Sequence, residues 1–183
     1  MSQRVAFFGI IVTTVAASLI LSGCSGKDPV LKSEYPMGEK VVLGPLTYNV
    51  IETAWRSQLG SEFKIRIPQQ RFLMITISAT NGGGKDVSVP LLTLENQNGD
   101  TFRELDNGEG VDGWFGFLRT ISPAQTQQGR IVFDVPLTSY KLRLTDGADP
   151  AVEKYAWVNI DLHMDQDMSV EAPGVPSAGP TVK

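Results

Sequence analysis

The chain has 183 residues, 42% hydrophobic and 20% charged, with 16 Lys and Arg against 20 Asp and Glu and a formal net charge of −4. That length suits one domain of ordinary size, and 18 Gly with 11 Pro call for many turns rather than long helices. One Cys and one His exclude a disulfide framework, a zinc finger and most metalloenzyme centres, and a mildly acidic chain without a Lys/Arg cluster lacks the electrostatic footprint of a nucleic-acid binder.

The first element in chain order is a processing segment. Arg4 supplies a positive n-region, Val5 to Leu21 is an apolar run diluted by Thr13, Thr14 and Ser18, and Leu21-Ser22-Gly23-Cys24 closes it. This is the layout of a secretory signal, with an apolar run slightly short for a membrane-spanning helix. The closing residues resemble the lipobox of bacterial lipoproteins. That resemblance implies a signal peptide over 1–23 and a mature chain that starts at Cys24, acylated on sulfur with diacylglycerol and on nitrogen with a further chain such as palmitate. Several acyl chains hold a domain firmly on a bilayer where one binds reversibly. In Gram-negative lipoproteins an Asp after the Cys marks inner-membrane retention. Here the residue is Ser25, which points to the outer membrane or cell surface. Residues 24–37, broken by Pro29 and Pro36, read as a flexible tether. Residues 38–163 read as the domain, and 164–183, with Pro173, Pro176 and Pro180 and no aromatic residue, as a disordered tail.

Within the domain the dominant signal is alternation with period two, the mark of half-buried strands. Val41 to Leu43 and Leu46 to Ile51 flank Gly44-Pro45. Leu73, Ile75, Ile77 and Ala79 share one face of the next strand, which Asn81-Gly82-Gly83-Gly84 ends in a flexible turn. Lys85 to Pro90 forms a further strand. Leu92 and Leu94 lead to Asn98-Gly99, a dipeptide suited to a type I′ hairpin, with Thr101 to Glu104 returning. Ile131, Phe133 and Val135, then Leu142 and Leu144, then Val158, Ile160 and Leu162 supply the remaining inward rows. Seven or eight short strands separated by turn signals describe an all-β, antiparallel, immunoglobulin-like β-sandwich.

The order of these segments resembles the DUF4352 family of secreted and lipid-anchored bacterial proteins. The resemblance runs from residue 40 to 146 and lies in Leu46-Thr47-Tyr48-Asn49-Val50, in Phe72 to Ile77 followed by Asn81-Gly82, in Leu92 to Gly99, and in Ile121-Ser122-Pro123 leading through Gly129 to Ile131–Pro136 and Tyr140–Leu144. It implies an immunoglobulin-like sandwich in an extracytoplasmic compartment and carries no activity. The family often has Gly after the Pro of the penultimate turn, where this chain has Ala124.

No catalytic constellation emerges. His163, the only imidazole, is expected to be exposed at the end of the last strand, no Gly-x-Ser-x-Gly elbow exists to pair with it, and Gly82 to Gly84 leads into a strand rather than a phosphate-cradling helix. The chain is therefore read as no enzyme and as needing no cofactor, calcium being the one candidate. Asp106, Asn107, Glu109 and Asp112 lie in a Gly-rich stretch whose oxygen donors suit Ca²⁺, although their spacing is not that of an EF-hand and such loops are usually solvated turns. Directly after it, Trp114, Phe115 and Phe117 form the densest aromatic run. They are read either as a partner-binding patch or, with Trp114, Phe117 and Leu118 turned inward, as a cap on the core. Trp55 and Trp157 read as core or rim. The expectation is a monomeric, lipid-anchored, non-catalytic module recognising an envelope protein or glycan through loops 104–118. The alternative is a structural or stress-protective envelope lipoprotein without a specific ligand.

Overall fold

A computed structural model describes residues 33–61, 63–149 and 151–163. The signal segment, Cys24 and the tail from residue 164 lie outside the described residues. In chain order the strands are β1 Glu34–Tyr35, β2 Lys40–Leu43, β3 Leu46–Arg56, β4 Leu59–Ser61, β5 Lys64–Arg66, β6 Arg71–Asn81, β7 Val87–Ser88, β8 Thr93–Asn96, β9 Thr101–Arg103, β10 Thr120–Ile121, β11 Thr126–Val135, β12 Tyr140–Thr145 and β13 Tyr155–Ile160, with no helix among the described residues. Five of them form a sheet in the order β1-β13-β12-β8-β9 and four a second in the order β11-β6-β3-β2, while β7 pairs with β10 and β4 with β5. Every pairing is antiparallel except that of β1 with β13. The protein is a β-sandwich with more strands than the alternation predicts, because its edges are built from pieces of two or three residues that are too short to show a period.

The inward rows fall where the alternation places them. Leu73, Ile75, Ile77 and Ala79 of β6 are fully buried, as are Ile131, Phe133 and Val135 of β11 and Leu142 and Leu144 of β12. Burying one such aliphatic side chain is worth roughly 1.5–3 kcal/mol, so these rows hold the two sheets face to face. Leu162, expected to continue the inward row of β13, is 39% exposed because the strand ends at Ile160. Glu34 and Tyr35 belong to the sheet rather than to the tether, since β1 pairs with β13 and Trp157 N–H donates to Ser33 O. Tyr35 and Met37 also pack against the core.

β3 departs most from its expected form. It runs on to Arg56, and its register with β6 shifts between Val50 and Glu52. The extra residue, Ile51, is exposed, and the bulge exchanges the two faces of the strand. Leu46, Tyr48 and Val50 point inward before it and Trp55 after it, so Glu52 and Ala54 face outward. Tyr48 reaches across the sandwich to donate to Thr145 O at 2.8 Å.

Two turns are built otherwise than expected. Between β8 and β9, Gly99 has a φ of 85° while Asn98 does not enter the positive region, which a type I′ turn requires of both central residues. Gly99 N–H donates to Asn96 O, and the Asn96 side chain accepts from Asn98 and Asp100 N–H, so the loop is a type I turn closed by a left-handed glycine. The stretch after β6 is not loose. Asn81 is fully buried, its Nδ2 donates to Lys85 O and Ile121 O, and its Oδ1 accepts from Gly83 N–H.

Ala124 is the one described non-glycine residue with positive φ, 60°, in the turn where Gln125 N–H donates to Ser122 O and Pro123 takes the first central position. This type II geometry favours glycine at the second central position. The left-handed region costs an L-residue about 1–2 kcal/mol, of which glycine's larger unfolded-state entropy returns about 0.5–1 kcal/mol. Ala124→Gly is therefore expected to stabilise the domain by about 0.5–1 kcal/mol, read as an unchanged urea m-value with a raised midpoint.

Burial raises the phenol of Tyr48 well above its ordinary range and that of Tyr140 to about 12. A folded pKa above the unfolded value of about 10 means that this stability is complete below about pH 10 and is lost as pH rises through the folded pKa. The melting temperature should fall steeply beyond about pH 10, and Tyr48→Phe should flatten that fall while costing about 1 kcal/mol at neutral pH for the lost hydrogen bond.

Candidate functional site

Between β9 and β10 the chain leaves the first sheet, crosses the open edge of the sandwich and folds over the outer face of the second. Glu104 N–H donates to Leu92 O, and the next residue, Leu105, already donates to Val132 O at 2.8 Å. The neck of this excursion is closed by a pair 15 residues apart, Glu104 and Arg119, whose side chains are both 0% exposed. Arg119 Nη2 donates to Glu104 Oε1 and its Nη1 to Oε2 at 3.0 Å. The remaining capacity is also used: Leu92 N–H donates to Oε2, while the guanidinium donates to Pro90 O and Gly116 O. Burial pushes the Glu104 carboxyl above the usual carboxylate range, and the hydrogen bonds and charge of Arg119 pull it back only in part. Neither residue stood out in the sequence. Glu104 reads as one more carboxylate of an acidic loop, and the only trace of the pair is that an acid and a base bracket a Gly-rich segment.

Beyond the neck the segment is anchored along its length. Asn107 O accepts from Arg66 Nη1 at 2.8 Å, and Glu109 pairs with Lys64, tying it to the β4–β5 hairpin. Phe115 N–H donates to Arg130 O, and Arg130 N–H to Gly113 O, so 113–115 runs beside β11. Two glycines allow the close approach. A Cβ on Gly108 would lie 2.0 Å from the Trp114 ring, and one on Gly129 would lie 2.7 Å from Phe115 Cα. Val111 of the segment is buried with Leu59, Phe72 and Val132, and Leu105 and Trp114 of the segment pack against them together with Met74, forming a second apolar cluster on the outer side of the sheet.

The aromatic run divides in a way the sequence did not indicate. Phe115 is 1% exposed, enters the main core and lies under the Arg119 guanidinium, 5.1 Å from ring centroid to Cζ, so it offers nothing to a partner. Trp114 is half-buried in the second cluster. Phe117 and Leu118, expected to cap the core if the run turned inward, are 53% and 88% exposed. The backbone bonds to β11 set which aromatic ring faces inward, and Gly129 leaves the space for it.

The acidic residues are dispersed rather than gathered. Asn107 Oδ1 accepts from Glu109 N–H, Glu109 is paired with Lys64, and Asp112 offers its carbonyl to Arg130 Nη1. Asp106 is exposed. Among the described residues no three His, Cys, Asp or Glu side chains converge as metal ligands would. His163 is exposed, with Nδ1 3.1 Å from Asp161 O.

What the segment and hairpin do create is a groove of about 430 Å³ on the outer face of the second sheet. Its floor carries Ala54, Met74 and Thr76, and its walls include Gly60, Gly110 and Asp112. Glu52, Thr76 and Arg130 stand in one cross-strand row, so a carboxylate and a guanidinium flank a hydroxyl. The groove has the size of small-ligand sites. Reading it from sequence would have required knowledge of the bulge at Ile51, which brings Glu52 and Ala54 to this face.

The fold recurs in solved structures at identities that establish the fold alone. The yjhA protein of Bacillus subtilis matches with a TM-score of 0.53 and 15% identity over 69% of this chain and 99% of its own. The secreted protein MPT63 of Mycobacterium tuberculosis matches with a TM-score of 0.50 and 17% identity over 72% and 98%. A candidate lipoprotein of Bacillus subtilis, ycdA, matches with a TM-score of 0.51 and 18% identity over 67% of this chain and 38% of its own. No curated protein matches the chain. A family model, the domain of unknown function DUF4352, matches residues 35–156, nearly all of the sandwich, and the chain belongs to that family.

Proposed function

We propose that the protein is a lipid-anchored, extracytoplasmic binding module that recognises a protein or glycan partner without catalysing a reaction, and that the groove walled by Gly110 and Asp112 of the 104–118 segment is its recognition surface. The observation that carries this reading is the clamped excursion itself. A loop that served only to connect β9 to β10 would need neither a buried neck nor a second apolar cluster, and the cost of ordering it is met by contacts that also shape the groove. The lipobox-like Leu21 to Cys24 supports anchoring, and the exposed position of His163, the one imidazole, away from the groove supports a non-catalytic role.

The test is cross-linking of the full chain in its native envelope, comparing wild type with Thr76→Arg, which fills the groove, and with Phe117→Ala, which leaves it open. Adducts lost in Thr76→Arg and kept in Phe117→Ala support the reading. Adducts indifferent to Thr76→Arg overturn the groove as the surface. Intact-mass analysis of the mature chain tests the anchor separately, since an unacylated Cys24 would refute it whatever the groove does.

A further inference from the structure

The outer face of the first sheet, on the side of the sandwich away from the groove, carries a second ordered array. Lys141 of β12 stands opposite Asn159 of β13 and Glu95 of β8, and one step along Arg143 stands opposite Trp157 and Thr93. Tyr155 lies two residues from Trp157 and so shares its face. The two rings meet edge to face, with centroids 6.3 Å apart and planes at 80°, and Tyr155 is 53% exposed. The polar groups around this corner are held in place. Arg143 lies 4.5 Å above the Tyr155 ring and pairs with Glu153 at 2.6 Å, and Lys141 pairs with Glu34 at 2.6 Å. Beside the array the surface dips into a depression of about 360 Å³ lined by Glu95, Asn96, Ser139, Lys141, Asn159 and Asp161.

We propose that this face binds a neutral oligosaccharide, with one sugar ring stacked against Trp157, since Arg143 already lies over the Tyr155 ring, and the hydroxyls of the following rings reaching Asn159, Glu95 and Asp161 in the adjoining depression. The chemistry favours that class. Aromatic faces carry negative quadrupole density, which attracts the C–H bonds on the flat side of a pyranose. Sugar hydroxyls both donate and accept, matching carboxylates that only accept and amides that do both. Both cations are already paired, and Glu34, Glu95, Glu153 and Asp161 outnumber them, so an anionic glycan, a nucleic acid or an anionic lipid surface is repelled. The site is on the other sheet from the groove and stands or falls apart from it.

The experiment is titration of the full-length protein with three probes: an N-acetylglucosamine tetramer, a glucose tetramer and an acidic galacturonate tetramer. A neutral tetramer is expected to bind and to change tryptophan fluorescence, and Trp157→Ala should weaken it by about tenfold, the scale of one lost aromatic stacking contact. Asn159→Ala, which removes an outward side chain, should weaken it as well and serves if Trp157→Ala melts early. Thr76→Arg, in the groove, should leave it unchanged. The proposal is overturned if neither neutral tetramer binds, if binding survives both Trp157→Ala and Asn159→Ala, or if the galacturonate tetramer binds more tightly than the neutral ones.

Discussion

Arg119→Met is expected to destabilise the domain by about 3–5 kcal/mol, because it strands the Glu104 carboxylate in the core without its partner. Urea unfolding at neutral pH measures the loss. The mechanism has a signature that simple loss of packing lacks. An unpartnered buried carboxyl has a folded pKa above its unfolded value, so its protonated form favours the folded state. Stability from that source is complete below the unfolded pKa of about 4.3 and is lost as pH rises through the folded pKa. The variant should therefore recover stability on acidification from neutral pH, relative to wild type. Glu104→Leu combined with Arg119→Met should cost much less than either single change, since a buried pair replaced by apolar groups of similar volume is often neutral. A double variant as unstable as the sum of the singles would show that the hydrogen bonds to Pro90 O, Gly116 O and Leu92 N–H matter more than the pairing.

The second large effect is expected at Phe115. Phe115→Ala should cost about 3–5 kcal/mol, the range for deleting a fully buried aromatic ring, while Phe117→Ala and Leu118→Ala should change stability by no more than about 0.5 kcal/mol, as exposed positions do. Neighbours in one aromatic run would then differ by several kcal/mol. Phe115→Ala also removes the ring beneath the Arg119 guanidinium, so its effect should not add to that of Arg119→Met. Equal costs at 115 and 117 would contradict the placement of the segment along β11.

The two predictions meet at the neck of the excursion, which is where the sequence was least legible. Alternation along β6, β11, β12 and β13 identifies the inward rows because each side chain of a half-buried strand has only two directions available, and burial selects between them. The same logic fails at β3. A single inserted residue, Ile51, exchanges the faces, and nothing in Val50-Ile51-Glu52 marks which residue is extra. It also fails for Trp114-Phe115-Gly116-Phe117-Leu118, a segment held by backbone bonds to β11 rather than by any period. Ala124 is an intermediate case. Its departure from the family's usual Gly was visible, but the consequence, a left-handed alanine, needed the turn geometry.

What the sequence by itself determined is the all-β class, the greater part of the core and the family, because these depend on local period, turn chemistry and residue type. What only the tertiary structure decided is the laying of residues 113–115 along β11, the buried Glu104–Arg119 clamp, the division of the aromatic run and the groove on the second sheet. Each of these depends on groups that chain distance separates and the fold brings together: Arg119 meets Glu104, Gly129 admits Phe115, and a hairpin from 59–66 meets a loop from 107–110. A buried ion pair has no local signature, since each charge is tolerable in the core only because the other is there.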